Sequence, residues 1–485
     1  MANPLLFRSL LRDAPLANAS NQQGAAAFAF TPRHKLAQMV MTGCMNETFY
    51  ASGQAQLNDV LATAKDLDDL FLAQLAIYGR ERGMMKDMPA LLTAILAARG
   101  SALLPVVFTR VINNGRMLRN FVQMLRSGVT GRRSLGTRPK KLVQRWLQNA
   151  SEERLLQASV GNAPSLADIV KMVHPRPQAA WQEAFFAWLI GKPCDKAQLP
   201  EKTRALLAFR EGNMGAALPD VPFLLLTNAP LSREQWAQLA QRLADRAQVR
   251  QSWVYPYQLL SAWSNLQSGV PQVIREALAQ AVEYALENIP PFRGNVVVCP
   301  DVSGSMKSSI TGYRKGATSK IRCVDVAGLI AAAVLRNHPQ ARVLPFECDV
   351  VDVRLDARQS VMHNAQKLAA VGGGTNCSAP LRRLLNERAR VDLVIMVSDN
   401  ESWVDKSRHG STATMECWIE LKKRNPQARL VCIDLLPYGT TQAAERNDIL
   451  NVGGFSDEVF TVIDNFVNGR YGSAHWLEEI EAVTL

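Results

Sequence analysis

From residue 30 to residue 288 the apolar positions recur at three- and four-residue spacing, interrupted by Gly, Pro and Asn. That is the helical period. LNDVLATAKDLDDLFLAQLAIYG (57–79) repeats its apolar positions at three- and four-residue spacing, and PALLTAILAA (89–98) reads as a helix opened by Pro89. PKKLVQRWLQ (139–148) buries Leu142, Val143, Trp146 and Leu147 while Lys140, Lys141 and Arg145 project elsewhere. SLADIVKMV (165–173), WQEAFFAWLI (181–190), REQWAQLAQRLAD (233–245) and VIREALAQAVEYALEN (273–288) continue the pattern. Many short helices without strands predict stacked helical hairpins of the HEAT type, although no fixed repeat period marks them.

At IPPFRGN (289–295) the texture changes. NVVVCPD (295–301), ARVLPFE (341–347), VDLVIMVSD (391–399), ARLVCIDLL (428–436) and EVFTVI (458–463) are short, apolar and rich in β-branched residues. Helical stretches at 321–337, 360–370, 379–390 and 412–424 alternate with them. Continuously apolar strands alternating with helices predict a parallel sheet covered on both faces, a doubly wound α/β domain. A docking helix is expected in the segment after 463. The pattern divides the chain into an all-α domain at 1–290 and an α/β domain at 291–485.

The length of 485 residues, with 47% hydrophobic and 20% charged residues, is that of an ordinary globular chain of several domains. No run of about 18 apolar residues predicts a membrane span. LLFRSLL (5–11) is broken by Arg8 and too short for a signal-peptide core. Eight cysteines (44, 194, 299, 323, 348, 377, 417, 432) form no CxxC pair, which excludes a zinc ribbon, a redox motif and a dense disulfide framework and points to the reducing cytoplasm.

Charge changes the picture more. The formal net charge is +12. Residues 1–290 hold 32 Lys and Arg against 21 Asp and Glu, whereas residues 291–485 hold 23 against 22. Between Asp87 and Glu152 there is no acid, yet there are eleven bases: Arg99, Arg110, Arg116, Arg119, Arg126, Arg132, Arg133, Arg138, Lys140, Lys141 and Arg145. A solvated surface usually mixes its signs, so this run predicts a polyanionic partner: nucleic acid first, an acidic protein or a membrane surface otherwise.

Three loops of the α/β half carry oxygen ligands. DVSGSM (301–306) places Asp301, Ser303 and Ser305 at alternate positions after the first strand. GGGTNCSAP (372–380) lets the backbone turn tightly and present Thr375, and VSDNES (397–402) puts Asp399 at the carboxyl end of a strand. In an open α/β sheet those ends form the binding crevice. Two carboxylates and three hydroxyls are hard donors that suit Mg²⁺ or Mn²⁺ with waters completing the octahedron. Each loop alone also reads as a capped turn; the order of the three on this fold is what favours the metal.

Asp-x-Ser-x-Ser, then Thr, then Asp resembles the metal-ion-dependent adhesion site (MIDAS) of von Willebrand factor A domains at all five positions. The resemblance implies that Ser303, Ser305 and Thr375 coordinate directly and that Asp301 and Asp399 act mostly through water. It also implies an open sixth position for an acidic group of a partner. A basic helical half before such a domain resembles the Ro autoantigen family, the TROVE-domain proteins, in its bacterial form. GAAAFAFTPRHKLAQMVMTGCMNETFYAS (24–52), GRRSLGTRPKKLVQRWL (131–147) and SLADIVKMVHPRP (165–177) are similar to family segments, with Asp168, Lys171, His174 and Pro175 in matching places. NAPSLAD (162–168) lacks the aromatic and the His that often precede that segment in the family.

The resemblance implies a ring of HEAT-like hairpins closed by the A domain. Such a protein binds small noncoding Y RNAs on its basic surface and takes single-stranded 3′ ends of misfolded RNAs into a central hole, and a Y RNA can tether it to a 3′ exonuclease. The residues expected at phosphates are Arg132, Arg133, Arg138, Lys140, Lys141 and Arg145, then Arg116 and Arg119, then Lys171, His174 and Arg176. His174 reads equally as a buried structural histidine, and Trp146 and Trp188 read as core rather than as base-stacking platforms. The reading is thus a non-catalytic RNA-binding protein, a monomer, acting in RNA quality control within ribonucleoprotein particles. The alternative is a metal-dependent protein-binding scaffold with RNA incidental. An enzyme is disfavoured, because no GxxxxGK[ST] loop and no acidic cluster for two metals occurs.

Overall fold

The computed structural model describes residues 14–485 apart from 44, 160–163, 211–230, 252, 253, 255, 265, 267, 268, 314–320, 371, 405–409, 457 and 472–475. The LLFRSLL stretch and Cys44 lie outside the described residues. The chain forms two compact units, one of Met1–Leu67 with Ala240–Ala482, the other of Asp68–Leu239 with Val483–Leu485.

The chain enters the first unit through β1 (Ala19–Ser20), β2 (Ala26–Ala29), α1 (Pro32–Thr42) and α2 (Gly53–Lys65). It then builds the helical unit from α3 (Asp69–Glu81), α4 (Asp87–Arg99), α5 (Leu104–Val111), α6 (Gly115–Ser127), α7 (Thr137–Asn149), α8 (Glu152–Ser159), α9 (Leu166–Val173), α10 (Ala180–Leu189) and α11 (Glu201–Arg210). The helical spacing over 57–79 belongs to two helices, the end of α2 and most of α3. Asp68 is the N-cap of α3, its carboxylate accepting the Phe71 amide at 2.8 Å, and an acidic residue at that position starts a new helix rather than continuing an old one.

Helix α4 shows why the helical unit coheres. Every residue from Met88 to Ala97 is buried, as an all-apolar helix requires. It packs against α3, α5 and α6. Around it the helices are two-faced: α6 buries Met117, Leu118, Phe121, Val122 and Leu125, and α7 buries Leu142, Val143, Trp146 and Leu147, as their spacing predicts. Trp146 donates its indole N–H to the Ile112 carbonyl at 2.6 Å, and half-buried Trp188 lies against Phe185. Both tryptophans are packing residues.

The chain passes through α12 (Arg233–Leu243) into α13 (Arg246–Gln251), α14 (Pro256–Ser264) and α15 (Gln272–Ala285), and then into the sheet. Its strands are β3 (Val296–Pro300), β4 (Arg342–Val343), β5 (Leu393–Ser398), β6 (Arg429–Asp434) and β8 (Ile449–Gly453), all parallel, in the order β4-β3-β5-β6-β8. Helices α16 (Cys323–Asn337), α17 (Val361–Leu368), α18 (Ala379–Asn386) and α19 (Ala413–Arg424) join them. Val297, Cys299, Val394, Met396, Leu430 and Cys432 form one core with Leu381 and Leu384 of α18 and Met415, Trp418 and Leu421 of α19. Between them in sequence, Val298, Ile395 and Val431 are equally buried, and α16 packs on β3 and β5.

Two expectations fail here. EVFTVI is not a strand but the start of α20 (Glu458–Val467), whose Val459, Phe460, Val462, Ile463 and Phe466 form a buried helical stripe. Within six residues, strand and helix cannot be told apart by apolarity; the extension to Phe466 decides it. The last strand is instead ILNVG, whose polar Asn451 hides it from a hydrophobicity reading. Asn451 is satisfied inside, donating to the Ala443 carbonyl at 3.0 Å and accepting from Thr441 at 2.9 Å. After α20 comes the expected terminal helix, α21 (Trp476–Glu481).

The sheet begins at Val296, close to the expected boundary near 290. The compact unit around it is larger than residues 291–485, however. α1 packs on β8, α15 packs on α17, and β2 pairs antiparallel with β7 (Thr440–Thr441). The small-residue segment GAAAFAF is thus a strand of a second sheet, β1-β2-β7.

A close helix contact gives a test of the helical unit. A Cβ on Gly115 would collide with Ala158 of α8. Gly115→Ala should therefore lower the thermal midpoint, even though Ala is the better helix former by about 1 kcal/mol. Adding Ala158→Gly should recover part of the loss in a double-mutant cycle followed by circular dichroism. A single variant that melts at or above wild type would show that no close contact exists.

Candidate metal centre and basic cavity

The order β4-β3-β5-β6-β8 reverses direction between β3 and β5, so the loops leaving those two strands diverge and open a crevice between them. Asp301 follows β3 and Asp399 follows β5. The third loop reaches the same place, because the Gly304 amide donates to the Gly373 carbonyl at 2.8 Å. Asp301, Ser303 and Asp399 are fully buried, and Ser305 and Thr375 nearly so. Asp301, Ser303, Ser305 and Asp399 thus lie buried on the loops after β3 and β5, and Thr375 on the loop that meets them at Gly373.

The hydrogen bonds orient the donors. The Ser303 amide donates to Asp301 Oδ1 at 2.8 Å, and Ser398 Oγ donates to Oδ2 at 2.7 Å. Ser303 Oγ and Ser305 Oγ are 3.3 Å apart, and Ser305 stands near enough to Asp399 to favour its charged form. Asp399 Oδ1 accepts the Glu401 amide at 3.2 Å, but Asp399 Oδ2 and Glu401 Oε1 are buried without a hydrogen-bond partner among the described residues. The glycines of the third loop serve space rather than backbone freedom. A Cβ at Gly373 would collide with the Glu347 carboxylate, and one at Gly374 would stand 2.8 Å from Cys348 Sγ.

Burial and mutual repulsion set the electrostatics. Burial first, then Asp399, pushes the Asp301 carboxyl up to about 7. Burial raises Asp399 as well, and burial with Asp399 pushes Glu401 up to about 8. Asp434, at the end of β6, is raised by burial and by the same two acids. Carboxyls crowded this way without a cation are held towards their neutral forms. A divalent cation fits what is present: bare carboxylate oxygen, three hydroxyls and a water-poor crevice. Among the described residues no three His, Cys, Asp or Glu side chains are grouped as metal ligands, so the hydroxyls carry this donor set.

Sequence reading missed the rest of the wall. The Gln22 amide donates to Glu401 Oε2 at 2.9 Å, and Asn21 Nδ2 donates to the Ser402 carbonyl at 2.7 Å. The Tyr50 phenol lies beside Ser305, and burial together with Asp399 pushes it up to about 12. These residues stand more than 250 positions before the loops they close, and no spacing rule reaches that far.

In the helical unit the basic run divides by role. Arg126, Arg133, Lys140 and Lys141 line a cavity of about 500 Å³ with Ser134, Leu135, Gly136, Thr137, Gln144 and Met172, and no acid is among its lining residues. Arg145 and Lys171 are exposed on α7 and α9, and Arg176 is exposed beyond α9. His174 is exposed too; it ends α9 in a left-handed conformation at φ 52° and is not a buried histidine.

Three expected residues are engaged elsewhere. Arg132 donates to the Ala97 carbonyl at 3.2 Å and closes the carboxyl end of α4, where a cation is favourable, and Arg138 donates to the Ser101 carbonyl at 3.0 Å and holds the loop just after it. Arg119 donates to the Ala158 carbonyl at 2.7 Å, and burial and the exposed Arg116 lower its pKa. Arg126, an unassigned member of the basic run, stands in the cavity instead.

Residues 295–467 match the model of the Ro60 vWA domain. Among curated proteins the chain is similar to the RNA-binding protein RO60 of Deinococcus radiodurans, 26% identical over 244 residues. It is also similar to the RNA-binding protein RO60 of Caenorhabditis elegans, 23% identical over 253 residues. These matches take in 47% and 48% of this chain but only 44% and 36% of those proteins, so it spans less than half the length of the curated relatives it matches. Among solved structures, the Deinococcus radiodurans RO (RSR) protein shares the fold with a TM-score of 0.54 at 19% identity, covering 91% of this chain and all of that one. A helical half, a parallel sheet in the order β4-β3-β5-β6-β8 and a vWA domain that matches the Ro60 model over residues 295–467 make the chain similar to Ro proteins in fold.

Proposed function

We propose that the chain is an RNA-binding protein that grips RNA by its phosphates in the helical unit. The observation that carries this reading is the cavity in which Arg126, Arg133, Lys140 and Lys141 meet without an acid. Four like charges around one opening repel one another, and a polyanion relieves that repulsion while releasing its own counterions. The similarity to proteins named RNA-binding protein RO60 supports the same class of ligand. Phosphate contacts of this kind fix position and read little sequence, which suits RNA with exposed single strands and irregular helices. Small noncoding Y-like RNAs and single-stranded 3′ ends of misfolded RNAs are the substrates we assign. The work is RNA quality control in cytoplasmic ribonucleoprotein particles, with a 3′ exonuclease tethered through the RNA. The role is binding, not catalysis. No helix among the described residues is long and apolar enough to cross a membrane.

We further propose that Asp301, Ser303, Ser305, Thr375 and Asp399 hold Mg²⁺, with Mn²⁺ as a substitute. The unpartnered, buried Asp399 Oδ2 supports this reading, since a carboxylate oxygen hidden from water needs a cation or a donor. Bound there, the ion would supply an electrophilic position for an acidic oxygen of a protein partner. Ser398 and the Ser303 amide would keep Asp301 in orientation.

The RNA reading is tested by salt. On a single-stranded RNA, log affinity should fall with log salt by about 0.7 for each phosphate neutralised. Replacing Arg126, Arg133, Lys140 and Lys141 by Ala should flatten that slope by about 2–3 units, as four such contacts imply. Replacing Arg132 and Arg138 should lower thermal stability and change the slope less. A slope untouched by the cavity variant would overturn the site.

The metal is tested by calorimetry and by pH. Wild type should bind one Mn²⁺, and Asp301→Ala should abolish the heat. Asp301 is raised in the folded chain above its unfolded value, so the stability it contributes is present in acid and lost as pH rises through about 7. Mg²⁺ should offset that loss, giving a larger rise in Tm at pH 8 than at pH 6. An equal rise at both pH values, or one retained by Asp301→Ala, would place the cation elsewhere.

A further inference from the structure

A second cavity, of about 420 Å³, opens in the sheet unit beside the first turn of α19. It is lined by Gln23 to Ala26 on one side and by Ser402, Trp403, Ser411, Thr412, Ala413 and Gln442 on the other. No Lys, Arg, His, Asp or Glu is among these lining residues. The residue with unmet chemistry is Ser411. It is 2% exposed, it faces this cavity, and its hydroxyl has no hydrogen-bond partner among the described residues. A buried hydroxyl left unpaired costs free energy, so a polar ligand that reaches it is favoured.

The neighbouring backbone adds donors of the same kind. Thr412 is the N-cap of α19, and its side chain accepts from the Met415 amide, leaving the amides of Ala413 and Thr414 without an intrahelical partner. The positive end of a 12-residue helix lies at the same place. Other polar groups of the lining are already engaged. The Gln442 amide group donates to the Asn400 carbonyl at 3.1 Å, Thr412 donates to the Gln442 carbonyl at 2.6 Å, and the Gln23 and Ala25 amides go to Asn21. Among the buried side-chain polar atoms of the described lining residues, the Ser411 hydroxyl is the one without a partner, and it sits beside the first turn of α19.

We propose that this cavity binds a carboxylate. Unpaired donors at a helix N-terminus call for an oxyanion. The lack of any cationic side chain in the lining disfavours a doubly charged phosphate, for which Arg or Lys is the usual partner. The volume exceeds that of a bare carboxylate group, and Trp403, 44% exposed, offers an apolar wall to the body that carries it. The carboxylate belongs either to a small organic acid or to the carboxyl terminus of a peptide. The chemistry is shared, and the site is separate from the donors assigned to the metal.

The test uses the full chain in excess EDTA, so that no carboxylate can bind through a divalent cation. 4-Fluorobenzoate, followed by fluorine NMR, should broaden saturably, and its neutral counterpart 4-fluorobenzamide should not. Ser411→Ala removes one hydrogen bond to a charged group and should weaken binding by about tenfold. Ser411→Asp places a carboxylate where the ligand's would lie. It should abolish the broadening, with circular dichroism checking that the variant is folded. Displacement by an acetylated dipeptide with a free carboxyl terminus, but not by its amide, would assign a peptide terminus; displacement by acetate alone would assign a small acid. Equal broadening of the benzamide, no saturable broadening, or wild-type affinity in the Ser411→Ala variant would overturn the proposal.

Discussion

Buried carboxyl groups at the ends of parallel strands are the constraint around which the sheet unit is arranged. Asp301, Asp399, Glu401 and Asp434 all lie out of water at the carboxyl ends of β3, β5 and β6. An isolated buried charge is far too costly to keep, so each acid must be neutralised, hydrogen-bonded or paired with a cation. The fold uses the first two means wherever it can. Ser398 and the Ser303 amide serve Asp301, the Glu401 amide serves Asp399, and the Gln22 amide serves Glu401. Of what hydrogen bonding leaves over, Asp399 Oδ2 and Glu401 Oε1 stand at the crevice, and Asp434 Oδ2 stays at the end of β6. The strand order makes that crevice possible, because only between β3 and β5 do the leaving loops part.

In the helical unit the same physics runs with the opposite sign. Eleven bases in a stretch without acids would repel one another on a compact surface, and the structure handles most of them in three ways, the first being ion pairs of Arg99 with Asp69 and Arg110 with Glu81. Some guanidinium groups take up backbone carbonyls: Arg132 closes the last turn of α4, Arg138 holds the loop just after it, and Arg119 holds the end of α8. Those charges stabilise helix ends and are spent locally. Others, Arg126, Arg133, Lys140 and Lys141, are left around one opening. Arg suits the carbonyls because its planar fork reaches several of them from one site, as Arg138 does with Gly100, Ser101 and Ala102. Lys, a compact charge on a flexible stem, suits the opening. A census of charge by sequence counts both groups alike, which is why Arg132 and Arg138 looked the equals of Arg133 and Lys140.

Legibility followed the range of the interaction. The helical spacing of α7, the apolar runs of β3, β5 and β6, and the three oxygen-bearing loops are local patterns, and the structure carries them nearly residue for residue. Where a local pattern was ambiguous, the reading slipped. EVFTVI has the composition of a strand but continues as a helical stripe, and ILNVG hides its strand behind an asparagine that is satisfied only in the folded core. Asp68 divides a long apolar pattern into two helices through one capping bond, a short-range signal present in the text and overlooked for the hydrophobic periodicity around it. Contacts between distant segments left no trace at all, Gln22 on Glu401 and Tyr50 on Ser305 among them.

Those distant contacts bear on what the vWA half is. Cut at residue 291, the sheet would keep all five oxygen-donor residues but lose the amide of Gln22 that holds Glu401 and the phenol of Tyr50 beside Ser305. It would also expose the faces of β8 and α17 on which α1 and α15 pack, and leave β7 without β2. Glu401 would then be a buried carboxyl with one partner fewer, in a spot already crowded with like groups. The oxygen donors are thus fixed by local sequence, whereas their electrostatic tolerance is supplied by segments that precede them by hundreds of residues. Among the described residues the hydrogen bond to the Glu401 carboxyl comes from Gln22, so the amino-terminal segment supports a buried acid that the strand loops leave unpartnered.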